Sequence, residues 1–132
     1  MSEITKTECT GDKRLDFLPK CIPNPLAMIE FENFVYTIAG RFTDYNGGLW
    51  RFWDLDNNGF FMSPDTDVDF HFQNPDNYSD VNLSAEALGI VACLYAFSHL
   101  SFKHHKLGDF YHLLAEYAYD HPEAAAIWES VD

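Results

Sequence analysis

From Leu26 to Phe42 the apolar residues Met28, Ile29, Phe31, Phe34, Val35, Ile38 and Phe42 recur at helical spacing. Pro25 sits where a helix starts, Glu30 and Glu32 lie early in it, and Asp44-Tyr45-Asn46-Gly47-Gly48 stops it with turn residues. The period then drops to two. Leu49 to Asp54 predicts an aromatic-rich strand, Asp56-Asn57-Asn58-Gly59 a hairpin turn, and Phe60 to Ser63 the returning strand. A third strand is predicted over 65–73, with Val68, Phe70 and Phe72 on one face and Asp67, Asp69 and His71 on the other. Residues 73–82 read as a polar loop. Ser84 is placed to cap a helix running to about Phe102, and Phe110, Leu113, Leu114, Tyr117 and Ala118 form the apolar stripe of another. Pro122 can open a last short helix through Ala126, Ile127 and Trp128.

Ahead of these elements, residues 1–14 are polar and predict a flexible tail. Leu15 to Ile22 predicts a short extended piece ended by Pro23 and Pro25. A helix, three antiparallel strands and two or three further helices, in that order, describe an α+β fold. The expectation is a single compact domain over 15–132, with a small antiparallel sheet of about three strands packed against several helices.

Hydrophobic content of 47% and aromatic content of 17% are too high for a disordered acidic tail, so the charge must decorate a globule. That charge is −13. It repels the phosphates of nucleic acid and of anionic membranes and favours basic protein surfaces, so neither direct nucleic-acid binding nor a membrane role is expected. The longest uninterrupted apolar run, Ala87 to Phe97, has the length of a buried core helix rather than a span. Cys9, Cys21 and Cys93 lack CxxC spacing, and Met1 to Thr10 contains no apolar stretch of a signal peptide; a reducing, cytoplasmic setting is expected.

Between residues 44 and 80 the chain carries eight aspartates against one base, Arg51. The candidate partner-binding residues are Asp54, Asp56, Asp65, Asp67, Asp69, Asp76 and Asp80. On a strand, Asp65, Asp67 and Asp69 would project from one face about 6.6 Å apart. That is roughly two phosphate steps of a DNA strand, a spacing that permits phosphate imitation. Steering a basic protein partner asks less of the same face.

Asp54-Leu55-Asp56-Asn57-Asn58-Gly59, with Asp65 at the twelfth position, gives a rival reading: a calcium- or magnesium-binding module using the Asp54–Asp65 loop. Against it, the last ligand is Asp rather than Glu, Pro64 precedes it, and the flanks read as strands where the motif needs helices. His99, His104, His105 and His112, with His121 further on, lack zinc-ligand spacing and read as surface or helix-end residues. No nucleophile elbow, phosphate loop, dinucleotide fingerprint or carboxylate pair in unlike environments is legible, so neither catalysis nor a cofactor is expected. The acidic C-terminal segment with Glu116, Asp120, Glu123, Glu129 and Asp132 is a second possible surface, and reads equally as a solvated helix.

Three ordered segments resemble the antirestriction proteins of the ArdB/KlcA type. They are Asp44 to Phe52 together with Asn58 to Asp65, then Leu83 to Ala92, and last His121 to Ile127; Phe17-Leu18-Pro19 is similar as well. The resemblance covers nearly the whole chain after about residue 15. It implies a compact α+β protein of plasmids and other mobile elements that relieves type I restriction of incoming DNA. Its implied partner is a type I restriction–modification enzyme or an accessory host protein, with no catalytic residue or cofactor to carry over.

Overall fold

The computed structural model describes residues 3–131, which build an α+β domain of five α-helices and two small antiparallel sheets. Its elements are β1 (Lys6–Cys9), α1 (Arg14–Cys21), α2 (Pro25–Phe42), β2 (Trp50–Leu55), β3 (Phe60–Pro64), β4 (Phe70–Asn74), β5 (Ser79–Leu83), α3 (Ala85–Leu100), α4 (His105–Tyr119) and α5 (Ala124–Val131). One sheet has the order β1-β2-β3; the other is the hairpin β4-β5.

Helix α3 is the axis. From Ala85 to Phe97 only Glu86 and Tyr95 escape full burial, as expected of a helix that is apolar all round. Ser84 caps it, its side chain accepting the Ala87 N–H at 3.1 Å. Helices α2, α4 and α5 and strand β3 all pack on it. The contact with β3 is along the strand's outer edge. The Met62 N–H meets the Cys93 Sγ at 3.5 Å, and the same sulfur lies 3.7 Å from the Met62 carbonyl oxygen. One turn earlier, a Cβ on Gly89 would lie 2.3 Å from that oxygen. Only a glycine lets the helix come so near the strand, and the approach covers an edge that would otherwise be open.

Around this contact the rings form one cluster. Phe60 of β3 makes edge contacts with Phe17, Phe31, Phe97 and Phe110 at centroid distances of 5.0 to 5.7 Å, joining α1, α2, α3 and α4. Phe31 stacks on Phe97 at 4.8 Å. Helix α2 matches its predicted span, with Asn24 accepting the Ala27 N–H and Pro25 in the first turn. The β2–β3 hairpin also matches, with Asn58 in the left-handed region at φ +74.

Four local expectations are corrected. Lys6–Cys9, assigned to a polar tail, pairs antiparallel with β2 (Lys6 opposite Leu55, Cys9 opposite Phe52), and residues 1 and 2 of that tail lie outside the described residues. Its sequence shows no alternation because its support is tertiary: Lys6 lies 4.3 Å over the Trp53 ring and pairs with Glu86. Leu15 to Cys21 is helical, not extended, and Ile22 only caps the helix. Phe17, stacked on Phe52 at 5.4 Å, and Leu18 are buried, and this packing outweighs the helix bond lost at Pro19. The third strand begins at Phe70, not at residue 65. Asp65 to Asp69 alternates in sequence but has no neighbouring strand, and turns instead through Thr66 N–H to Pro64 O at 3.0 Å and Val68 N–H to the Thr66 hydroxyl at 3.3 Å. Val68, predicted on one face with Phe70 and Phe72, is 63% exposed while those two are buried. Finally, the polar loop predicted over 73–82 holds the end of β4 and most of β5, which pair Phe70 with Leu83 and Asn74 with Ser79 around a turn with Tyr78 at φ +60.

The Gly89 contact gives a direct test. Gly89→Ala is expected to cost about 3 kcal/mol or more, because the methyl meets backbone rather than a movable side chain. Urea unfolding of the purified variant measures it; a midpoint equal to that of the parent would show that α3 is free to shift.

Candidate protein-binding surface

The seven aspartates named from the sequence fall in four places. Asp54 is exposed on β2, on the side towards α1. There the Cys21 thiol is pushed up to about 12, mainly by burial and next by the Asp54 charge. Asp56 opens the β2–β3 turn and accepts bonds from the Thr5 N–H and hydroxyl at 3.1 and 3.0 Å. Asp65, Asp67 and Asp69 lie on the irregular loop between β3 and β4. Asp76 and Asp80 belong to the β4–β5 hairpin. No single strand face carries these residues, so the regular spacing that would permit phosphate imitation does not arise.

Several carboxylates already have partners. Arg51 Nε donates to Asp65 at 2.7 Å, a bond that raises the guanidinium further above its usual range. His71 pairs with Asp80 and holds its carboxyl below the ordinary value. Asp44, Asp54, Asp67, Asp69 and Asp76 form no ion pair among the described residues.

The calcium-loop alternative finds no support in this geometry. Strands flank the loop, Asp56 and Asp65 turn to Thr5 and Arg51, and among the described residues no three His, Cys, Asp or Glu side chains could together hold a metal ion. The histidines are dispersed too. His99 packs at 5.1 Å from the Phe34 ring, and His104 bonds Glu30 at 2.9 Å. That bond, with one from Lys103, holds the Glu30 carboxyl below its usual range.

Two shallow cavities, each of about 240 Å³, flank the Asp65–Asp69 loop. One lies between residues 44–49 and 64–70. The other is bordered by Arg51, Trp53, Thr66, Asp67 and Glu86. Behind the second is a polar cluster that sequence reasoning missed. His121, whose side chain is 5% exposed, receives the Glu123 N–H on Nδ1 at 2.9 Å and so carries its proton on Nε2, which donates to Glu86 at 2.7 Å. Glu86 also pairs with Lys6, while Glu123 accepts both the N–H and the hydroxyl of Ser84. Burial raises the Glu86 carboxyl, but the bonds from His121 and Lys6 outweigh it and leave it below its ordinary value. The cluster ties β1 and the starts of α3 and α5 together. Its members lie as far apart as residues 6 and 123, so no local pattern announces it; the juxtaposed His121-Pro122-Glu123 is the only trace. Glu123 therefore leaves the proposed acidic C-terminal surface, and Asp132 of that surface lies outside the described residues.

This scaffold matches known proteins closely. Residues 43–132 fit the model of the family described as antirestriction protein. The chain is 38% identical to the antirestriction protein KlcA of Escherichia coli, covering 99% of this chain and 95% of that one. It is 37% identical to the protein YafX of Escherichia coli (strain K12), over 98% and 89% of the two chains. A solved structure superposes with a TM-score of 0.89 at 35% identity, covering 100% of this chain and 99% of the other. That work describes KlcA and ArdB proteins as having a novel fold and antirestriction activity against type I DNA restriction systems in vivo but not in vitro. The chain belongs to the ArdB/KlcA family of antirestriction proteins.

The polar cluster predicts an acid sensitivity. The folded Glu86 carboxyl titrates below its ordinary 4.5, so its stabilising contribution is complete above that pH and is lost as the pH falls beneath it. Unfolding free energy should fall less steeply with acid below pH 4.5 in Glu86→Gln than in the parent; identical slopes would count against the assignment. At neutral pH His121→Ala should cost about 1–3 kcal/mol, since it strands the Glu123 N–H and one Glu86 oxygen.

Proposed function

We propose that this protein relieves restriction by type I restriction–modification systems in the bacterial cytoplasm, and that it acts by binding a protein through its acidic surface rather than by making or breaking bonds. The observation that carries the first part is the match of the whole chain, at 35% identity and a TM-score of 0.89, to proteins with that activity. The second part is supported by the charge of −13 and by exposed carboxylates that no internal base neutralises, Asp67 and Asp69 foremost. Such a field attracts a basic protein surface and repels the DNA that the restriction enzyme cuts.

The activity of KlcA and ArdB in cells, without a counterpart in vitro, bears on the partner. An inhibitor that needed only the restriction enzyme would act on the purified enzyme as well. An accessory cellular protein is therefore favoured as the direct partner, with the restriction complex affected through it.

Plating of unmodified phage on cells with a type I system tests the reading. Cells expressing the protein should plate the phage with raised efficiency. The double variant Asp67→Lys/Asp69→Lys should lose that relief by about tenfold or more while keeping the parent's thermal midpoint, because neither carboxylate is used in folding. Asp65 is left in place to keep the Arg51 bridge. Undiminished relief by the double variant would remove the loop from the working surface.

A further inference from the structure

We infer that the groove between residues 44–49 and 64–70 is the docking site for one segment of a basic polypeptide, which places an apolar side chain between Leu49 and Val68 and its lysine or arginine side chains against Asp44 in the groove and, over the 65–69 loop, against Asp67 and Asp69. This inference deepens the reading above and rests on it.

The groove combines an apolar pair, unused backbone donors and unneutralised charge. Leu49 and Val68 are 72% and 63% exposed, and they face the same cavity of about 240 Å³ from opposite lips. Single exposed aliphatic residues are ordinary; two across one groove make an anchor site. Along one lip residues 46–48 are exposed and belong to no strand. Among the described residues the N–H groups of Asn46, Gly47 and Gly48 make no hydrogen bond within the protein. Gly47 and Gly48 have φ +117 and +125, and no atom lies within 4 Å of where a Cβ would stand. The glycines thus serve the shape of the backbone and leave its donors bare for an incoming chain.

The floor of the groove is rigid. Tyr45 and Phe70 lie edge to face at 6.4 Å, and the Tyr45 hydroxyl accepts the Trp50 indole N–H at 2.7 Å. The Leu49 carbonyl is held by the Asp65 N–H at 2.8 Å. A preformed site loses little on ordering when it binds.

Charge selects the occupant. Asp44 lines the groove, while Asp67 borders the second cavity on the far side of the same loop and Asp69 is exposed on that loop. None of the three has an ion-pair partner among the described residues, and the neighbouring base, Arg51, is neutralised by Asp65. A second copy of this chain would bring another −13 to the same rim, and the repulsion disfavours it. A segment with an apolar residue flanked by lysine or arginine satisfies both the lips and the rim.

The test uses the full chain in cells carrying a type I system. Leu49→Ser/Val68→Ser should lower restriction relief by about tenfold or more, with an unchanged circular dichroism spectrum and thermal midpoint, because both side chains are already in water. If the parent gives no relief, the antirestriction reading itself fails. If parent and double variant relieve restriction equally, the groove fails while that reading stands. Photocrosslinking from Leu49→p-benzoylphenylalanine identifies the occupant. A basic peptide with an apolar residue, lost in Asp44→Asn/Asp67→Asn/Asp69→Asn, supports the assignment. An adduct with nucleic acid, with an acidic segment or with a second copy of the chain overturns it, as does the absence of any adduct.

Discussion

The outer edge of β3 lies against helix α3, and the rest of the structure is arranged to keep it there. An uncovered strand edge offers unpaired N–H and C=O groups to any passing chain. Here α3 closes it with Gly89 and Cys93, one turn apart, and the Met62 N–H finds a sulfur in place of a backbone acceptor. Burial pushes the Cys93 thiol up to about 12, so the sulfur acts as a small packing group and a weak acceptor, not as a nucleophile. Because the helix is covered on all sides, α2, α4 and α5 must surround it, and the Phe60 ring cluster fills the space they leave.

A frame held this way is stiff at its centre and puts its variety at the ends of β2 and β3. The segments 44–49 and 64–70 hang from the strands that α3 and α2 immobilise, so exposed side chains stand on a fixed base. Polar links brace the periphery. The His121–Glu86 and Ser84–Glu123 pairs bind α5 to α3 and, through Lys6, to β1. A second set, with Tyr95 and Asn77 both donating to the Ser130 carbonyl at 2.8 and 3.0 Å, fastens α5 to α3 and to the β4–β5 turn. These braces matter in a chain of charge −13, whose self-repulsion opposes the compact state.

The acidity is spent in two ways. Some carboxylates are structural: Asp56, Asp65, Glu86 and Glu123 each satisfy a donor elsewhere in the chain. Others, above all Asp67 and Asp69, satisfy nothing internally and shape the field that a partner meets. A count of acidic residues cannot separate these groups. The presence of a donor within reach can.

Helix α2, the β2–β3 hairpin, the Ser84 cap and helices α3 to α5 were legible in the chain because each is written locally, in periodicity, turn residues and caps. The surplus of aspartate and the likeness to ArdB/KlcA proteins were legible for the same reason: they depend on which residues are present and in what order. What folding alone decided were the features that need a distant partner. Lys6–Cys9 becomes a strand only beside β2, Ser79–Leu83 only beside β4, and Arg14–Cys21 a helix only under Phe52 and Phe60. Asp65 to Asp69 has the alternation of a strand and is not one, since beyond the Asp65–Leu49 bond no neighbouring strand supplies the hydrogen bonds that an extended backbone requires.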